Sequence, residues 1–174
     1  MQIDKTKFKK NTTDIMSSRR QARRLALQVF FANEFLHEDI QSVIERISAS
    51  LDQEVDDFCR ELLIRTTEHK SELEKLVLQN LRDWDIERVA VLDRSLILLA
   101  LGELLFFEDI PVEVTINEAV EISKEFISNK SSRFINGILD TIYKQLQNEN
   151  KLHKSLLARI PPKIKKTKKI IKGI

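Results

Sequence analysis

The stretch VAVLDRSLILLALGELLFF, residues 89–107, decides the fold. Its second half is apolar on nearly every side, which is typical of a helix at the centre of a helical bundle. The most apolar part, residues 97–107, is too short to span a bilayer, which needs about 20 residues. A glycine inside a helix costs about 1 kcal/mol relative to alanine, so we expect another helix to cross closely at Gly102. The stretch predicts a central helix of an all-α protein.

On either side of this helix, apolar residues recur at three- and four-residue steps, the period of an amphipathic helix. Upstream they predict a first helix beginning at Arg19 and three more near residues 40–51, 55–63 and 73–81, followed by a break at 82–86 around Trp84. Downstream, Pro111 ends the central helix, and Thr115 with Glu118 fits a capping box for the sixth. A polar turn at 128–131 precedes a last helix over 134–146. We therefore expect about seven helices.

Charge divides the chain into three parts. Residues 1–24 hold eight basic and two acidic residues, and residues 148–174 hold nine basic residues and one acidic residue. Residues 25–147 hold twelve basic and twenty-four acidic residues. The net charges are thus +6, +8 and −12, so an anionic partner would be concentrated at the basic ends. We predict a flexible basic segment over 1–18, a helical domain over 19–147 and a flexible lysine-rich tail over 148–174. For the tail alone, a purely solubilising role is an equal alternative.

Signals for catalysis, cofactors or metals are weak. His37, His69 and His153 have no metal-ligand spacing, and three glycines cannot build a phosphate-binding loop. Cys59 falls on the apolar face of its helix, where we expect a buried, inert thiol. A single cysteine and no signal peptide indicate a cytoplasmic protein. We therefore predict no enzyme, no cofactor, no metal and no membrane partner.

The basic signal that remains is an arginine cluster in the first helix. Arg19, Arg20, Arg23 and Arg24 share one side of a helix, and residues 15–33 contain no acid. Guanidinium groups in this arrangement can bind phosphates or stack on unpaired bases. The alternative is a solvated face that acids from elsewhere in the chain balance.

Three stretches resemble the NusB family: RRQARRLALQVFFANEF at 19–35, WDIERVAVLDRSLILLALGEL at 84–104, and DIPVEVTINEAVEISKEF at 109–126 followed by SSRFINGILD at 131–140. The resemblance implies two small helical bundles and a transcription antitermination factor. Such a factor binds boxA-type single-stranded RNA together with the ribosomal protein NusE in an RNA polymerase antitermination complex. It supports transcription of ribosomal RNA operons. The alternative is a helical protein–protein scaffold without specific RNA binding, and a homodimer stays open.

The resemblance also suggests positions for the two binding surfaces. RNA-binding residues fall on Arg19, Arg20, Arg23, Lys130, Arg133 and Phe134, and NusE-contact residues fall on Phe31, Glu87 and Asp93. At Lys130 the family usually has an acidic residue, so this loop is more basic than the family pattern. Phe31 lies one step off the apolar stripe of its helix, where we expect partial exposure. A boundary core residue there, and helix-dipole roles for the two carboxylates, are the structural alternatives.

Overall fold

A computed structural model describes residues 5–81 and 89–152, with side chains from residue 18 onward. Within these residues the chain forms seven helices and no strand, which confirms the all-α prediction. The helices are α1 (Lys5–Leu36), α2 (Ile40–Leu51), α3 (Asp57–Glu68), α4 (Lys70–Asn80), α5 (Val91–Phe106), α6 (Val112–Phe126) and α7 (Asn129–Asn148). None of the helices in this part of the chain has the length and hydropathy needed to cross a membrane.

Helix α5 lies at the centre of the molecule. Helices α1, α2 and α3 pack on one another as one bundle, whereas α4, α6 and α7 pack with α5 as a second. Because α5 also contacts α1 and α3, it joins the two bundles. Every residue from Ser95 to Leu104 is buried, which explains why this segment has no polar face.

The glycine in α5 allows a close approach of α3. A methyl group added at Gly102 would lie 2.2 Å from the Thr66 hydroxyl oxygen, far inside van der Waals contact. The predicted close helix crossing at this position is therefore confirmed. The other residue whose burial was expected, Cys59, is also fully buried. Burial, together with the nearby Asp56 carboxylate, raises the pKa of its thiol to about 12, as expected for an inert cysteine.

The first helix begins at Lys5, and the predicted start at Arg19 is wrong. Residues 5–18 contain neither proline nor glycine. A helix extends readily through such residues once it is nucleated, since each added residue gains one hydrogen bond. A serine before Arg19 is therefore insufficient to begin a helix there.

Two helices in the second half of the chain also begin at residues other than those predicted from the sequence. Helix α6 begins at Val112 after Pro111, so the predicted capping box at Thr115 and Glu118 is wrong. Both side chains instead bind groups on other helices, as described below. Helix α7 begins at Asn129, and the Ser128 hydroxyl oxygen accepts the Ser131 backbone N–H at 3.0 Å. The predicted polar turn at 128–131 is thus the capped first turn of α7.

Some predictions concern residues outside those described. They are the break around Trp84, the partner contact Glu87, and the part of the lysine-rich tail beyond residue 152, including His153. The three-part division of the chain stays a prediction.

Candidate nucleic-acid interface

Each arginine of the α1 cluster is paired with a carboxylate from the second half of the chain. Arg19 donates to Asp109 in the α5–α6 loop at 3.0 Å, and Arg24 donates to Glu125 on α6 at 2.5 Å. The pairs of Arg20 with Glu118 and Arg23 with Glu103 have two hydrogen bonds each. The expected alternative, balance by acids elsewhere in the chain, is therefore present. We call the four arginines the arginine row.

Arg23 and Glu103 form the buried centre of this network. Their side chains are 8% and 2% exposed, and Arg23 donates from Nε and Nη2 to the two Glu103 oxygens at 2.7 and 2.8 Å. The Thr115 hydroxyl donates to the same carboxylate at 2.6 Å. A buried charge pair persists only when such hydrogen bonds offset the cost of desolvation. The RNA-binding role of Arg23 stays a prediction, and its guanidinium is the least accessible of the four.

The other three arginines remain accessible. Arg19 and Arg24 are each 35% exposed and Arg20 is 45% exposed. The hydrogen bonds and charge of Glu118 raise the pKa of Arg20 above its ordinary value, so this guanidinium is charged at every physiological pH. Guanidinium groups expose donors that can bind phosphate in the plane of the fork.

An aromatic ring on α3 orients two of the arginines. The guanidinium carbons of Arg19 and Arg23 lie 5.3 and 5.2 Å from the centre of the Phe58 ring. Phe107 meets the same ring edge-to-face at 5.2 Å. Cation–π contacts of this length are worth about 0.5–1 kcal/mol at exposed sites and about 2 kcal/mol when desolvated, and Arg23 is the buried one of the two. Phe58 therefore restrains the arginine row, a role that no short sequence pattern indicates.

Further cations lie in the first turns of α7. Lys130 and Arg133 are exposed, and Phe134 is half-buried against the core. Within the described residues, neither Lys130 nor Arg133 forms an ion pair. Helix α7 starts three residues after α6 ends, and the Arg24–Glu125 pair ties that end of α6 to α1. The end of α6 therefore connects the arginine row on α1 to Lys130 and Arg133 at the start of α7.

The predicted partner residues lie toward the other end of α1. Phe31 is half-buried, as expected, and its ring meets that of the 63% exposed Phe35 edge-to-face at 5.2 Å. Glu34, one turn beyond Phe31, accepts from Lys70 and from Arg94. Because Arg94 follows Asp93, this cluster ties the end of α1 to the start of α5, where the predicted carboxylate lies.

Asp93 occupies the first turn of α5. Burial raises the pKa of Asp93, and a 3.3 Å hydrogen bond from the Ser131 hydroxyl partly opposes that change. Its other oxygen, Oδ1, is buried and has no hydrogen-bond partner among the described residues. A buried acceptor without a partner is costly. Asp93 thus connects the start of α5 to the start of α7 through Ser131, and its Oδ1 is shielded from solvent.

Possible metal ligands are present among the side chains of residues 18–81 and 89–152. No group of three or more His, Cys, Asp or Glu side chains there is arranged to hold an ion. The largest cluster of ion pairs between helices in this part of the chain is the arginine row with its carboxylates.

These features define an all-α protein of two packed helical bundles whose first helix carries a carboxylate-paired arginine row. Residues 20–144 match the model of the NusB family, and the chain belongs to that family. It is 35% identical over 141 residues to the transcription antitermination protein NusB of Chloroherpeton thalassium, a match that covers 79% of this chain and 67% of that protein.

Solved structures have the same fold. NusB of T. maritima superposes with a TM-score of 0.66 at 36% identity, covering 73% of this chain and 91% of that one. A chain in a complex of the antitermination factors NusB and NusE with double-stranded RNA superposes with a TM-score of 0.67 at 22% identity, covering 73% and 96%. The second similarity shows the fold alone.

Proposed function

We propose that this chain is a transcription antitermination factor. In this role it binds boxA-type single-stranded RNA with the ribosomal protein NusE, within an RNA polymerase antitermination complex that supports ribosomal RNA transcription. It has no catalytic activity of its own. The observation that carries the proposal is the pair of accessible guanidinium groups of Arg19 and Arg20 on α1, in a chain that belongs to the NusB family.

We assign the predicted RNA-binding residues different roles, and their exposure supports this assignment. Arg19 and Arg20 have accessible guanidinium groups, and Lys130 and Arg133 are exposed cations, so these four bind phosphates. Phe134 presents the exposed part of its ring to a base, since base–aromatic stacking is a main source of single-strand affinity. Arg23 acts indirectly, because its buried pair with Glu103 fixes the side of α1 that carries the other arginines.

The NusE surface comprises Phe31 and Asp93, with Glu87 from the sequence resemblance. A half-exposed aromatic is a common interface anchor, and Asp93 lies in the first turn of α5 near the cluster at the end of α1. The domain has net charge −12 over residues 25–147, which favours association with a basic ribosomal protein.

The test is RNA binding measured by fluorescence anisotropy with a boxA-like strand, a scrambled strand and the boxA-like strand in a duplex, each with and without NusE. Replacing Arg19 and Arg20 by alanine should weaken binding and reduce the slope of log K against log salt by about 1.4, since each lost phosphate contact on a single strand contributes about 0.7. Arg65→Ala is the control, because Arg65 is similarly exposed at 46% but lies on α3 and pairs with Glu61.

Equal affinity and salt slope in the double variant and the control would contradict this assignment. The scaffold alternative predicts NusE binding without salt-dependent RNA affinity. If the protein bound the duplex more tightly than the single strand, its ligand would be double-stranded RNA and this part of the proposal would be wrong.

A further inference from the structure

The carboxylates that face the accessible arginines differ in how firmly they are held. Glu118 is 10% exposed and binds Arg20 through both oxygens. Asp109 and Glu125 are 62% and 44% exposed, and each has one hydrogen bond to its arginine. Asp109 and Glu125 are therefore loosely attached anions at the surface of the arginine row.

A carboxylate and a phosphate use the same recognition chemistry toward guanidinium. Both present two anionic oxygens in a plane that matches the arginine fork. A phosphate approaching Arg19 or Arg24 along this plane meets a carboxylate already in place. Exposed ion pairs are weak enough for such an exchange, whereas the buried pair of Arg23 and Glu103 is not.

We propose that Asp109 and Glu125 are internal competitors of RNA phosphates: they occupy Arg19 and Arg24 in the free protein and hold RNA affinity below what the arginines alone would give. This inference rests on the proposed function. RNA binding transfers the two guanidinium groups from carboxylate to phosphate.

The competition predicts that neutral isosteres tighten binding. Asp109→Asn and Glu125→Gln should each lower the Kd for a single-stranded RNA oligomer about two- to five-fold, the range that the strength of exposed pairs allows. The matched control is Asp140→Asn on α7, which has the same charge change but pairs with Lys144. Its effect on Kd should be smaller than that of either competitor variant.

A double-mutant cycle separates competition for a particular arginine from a general change in net charge. In an Arg19→Ala background, Asp109→Asn should no longer tighten binding, because no guanidinium is left to release. Glu125→Gln should keep its effect in that background, since its partner is Arg24. Circular dichroism checks that all variants remain helical.

The outcomes distinguish the two proposals. If the unsubstituted protein binds RNA through its arginines but Asp109→Asn and Glu125→Gln leave the Kd unchanged or raise it, the competition is refuted and the proposed function survives. Persistence of the full Asp109→Asn effect without Arg19 also refutes the competition. If the unsubstituted protein does not bind RNA, both proposals fail.

Discussion

Replacing Glu103 by glutamine tests how much the buried centre of the arginine row contributes to stability. The substitution keeps the shape of the side chain but leaves the Arg23 guanidinium charged and 8% exposed without its bidentate partner. Removing one member of a buried pair costs about 3–5 kcal/mol. We expect the lower end, about 3 kcal/mol, because a Glu118 oxygen 3.9 Å from Arg23 still offsets part of the charge.

A loss of this size is readily measured by urea and thermal unfolding, followed by circular dichroism at the helical band. For a chain of this length, 1 kcal/mol shifts the Tm by about 2–4 °C, so the expected decrease is about 6–12 °C. Glu125→Gln is the matched control: its pair with Arg24 is exposed, and its cost should stay below about 1 kcal/mol. The double variant Arg23→Gln with Glu103→Gln removes the unpaired charge and should be more stable than Glu103→Gln alone.

The reasoning would be refuted if Glu103→Gln unfolded within about 1 kcal/mol of the unsubstituted protein, well short of the range for a broken buried pair. It would equally be refuted if the double variant were less stable than the single one, since the cost would then lie in lost packing rather than in an uncompensated charge.

Three further predictions concern the two helical glycines and the buried cysteine. Gly102→Ala should destabilise the protein by about 1–3 kcal/mol in urea unfolding, because the added methyl group would lie 2.2 Å from the Thr66 hydroxyl oxygen. Adding Thr66→Ala to the same chain should restore part of that loss. Gly137→Ala has open space around it and should instead stabilise α7 by about 1 kcal/mol. Cys59 should resist a thiol reagent at pH 8 in the folded protein and react in urea, because a pKa of about 12 leaves about one thiolate in ten thousand; rapid reaction without urea would contradict its burial.

Local patterns predicted the helices well where hydrophobic burial alone determines them. Most of the buried run in α5 is visible as the apolar segment at residues 96–101, and the Gly102 crossing follows from the cost of glycine in a helix. The capping box at Thr115 and Glu118 failed because the same residue types that cap a helix also bind arginine. A sequence pattern cannot distinguish these roles when the partner lies far along the chain.

The partners of the arginine row illustrate this limit. No acidic residue lies close to Arg19–Arg24 in the sequence, yet each of these arginines pairs with a carboxylate 80–101 residues away. One signal was available: Glu103 lies inside the most apolar helix, and a buried glutamate requires a partner. The sequence indicates that a hydrogen-bond or charge partner reaches it, but only the packing of α1 against α5 identifies Arg23.

The long separations within the arginine row have a consequence for synthesis of the chain. The carboxylates lie 80–101 residues after the arginines with which they pair. At the usual rate of chain elongation, about 5–20 residues per second, they are therefore synthesised about 4 to 20 s later. For that interval a nascent chain carries four cationic side chains without the carboxylates that pair with them in the folded protein. Any RNA within reach of the growing chain therefore meets the arginines before their own carboxylates do.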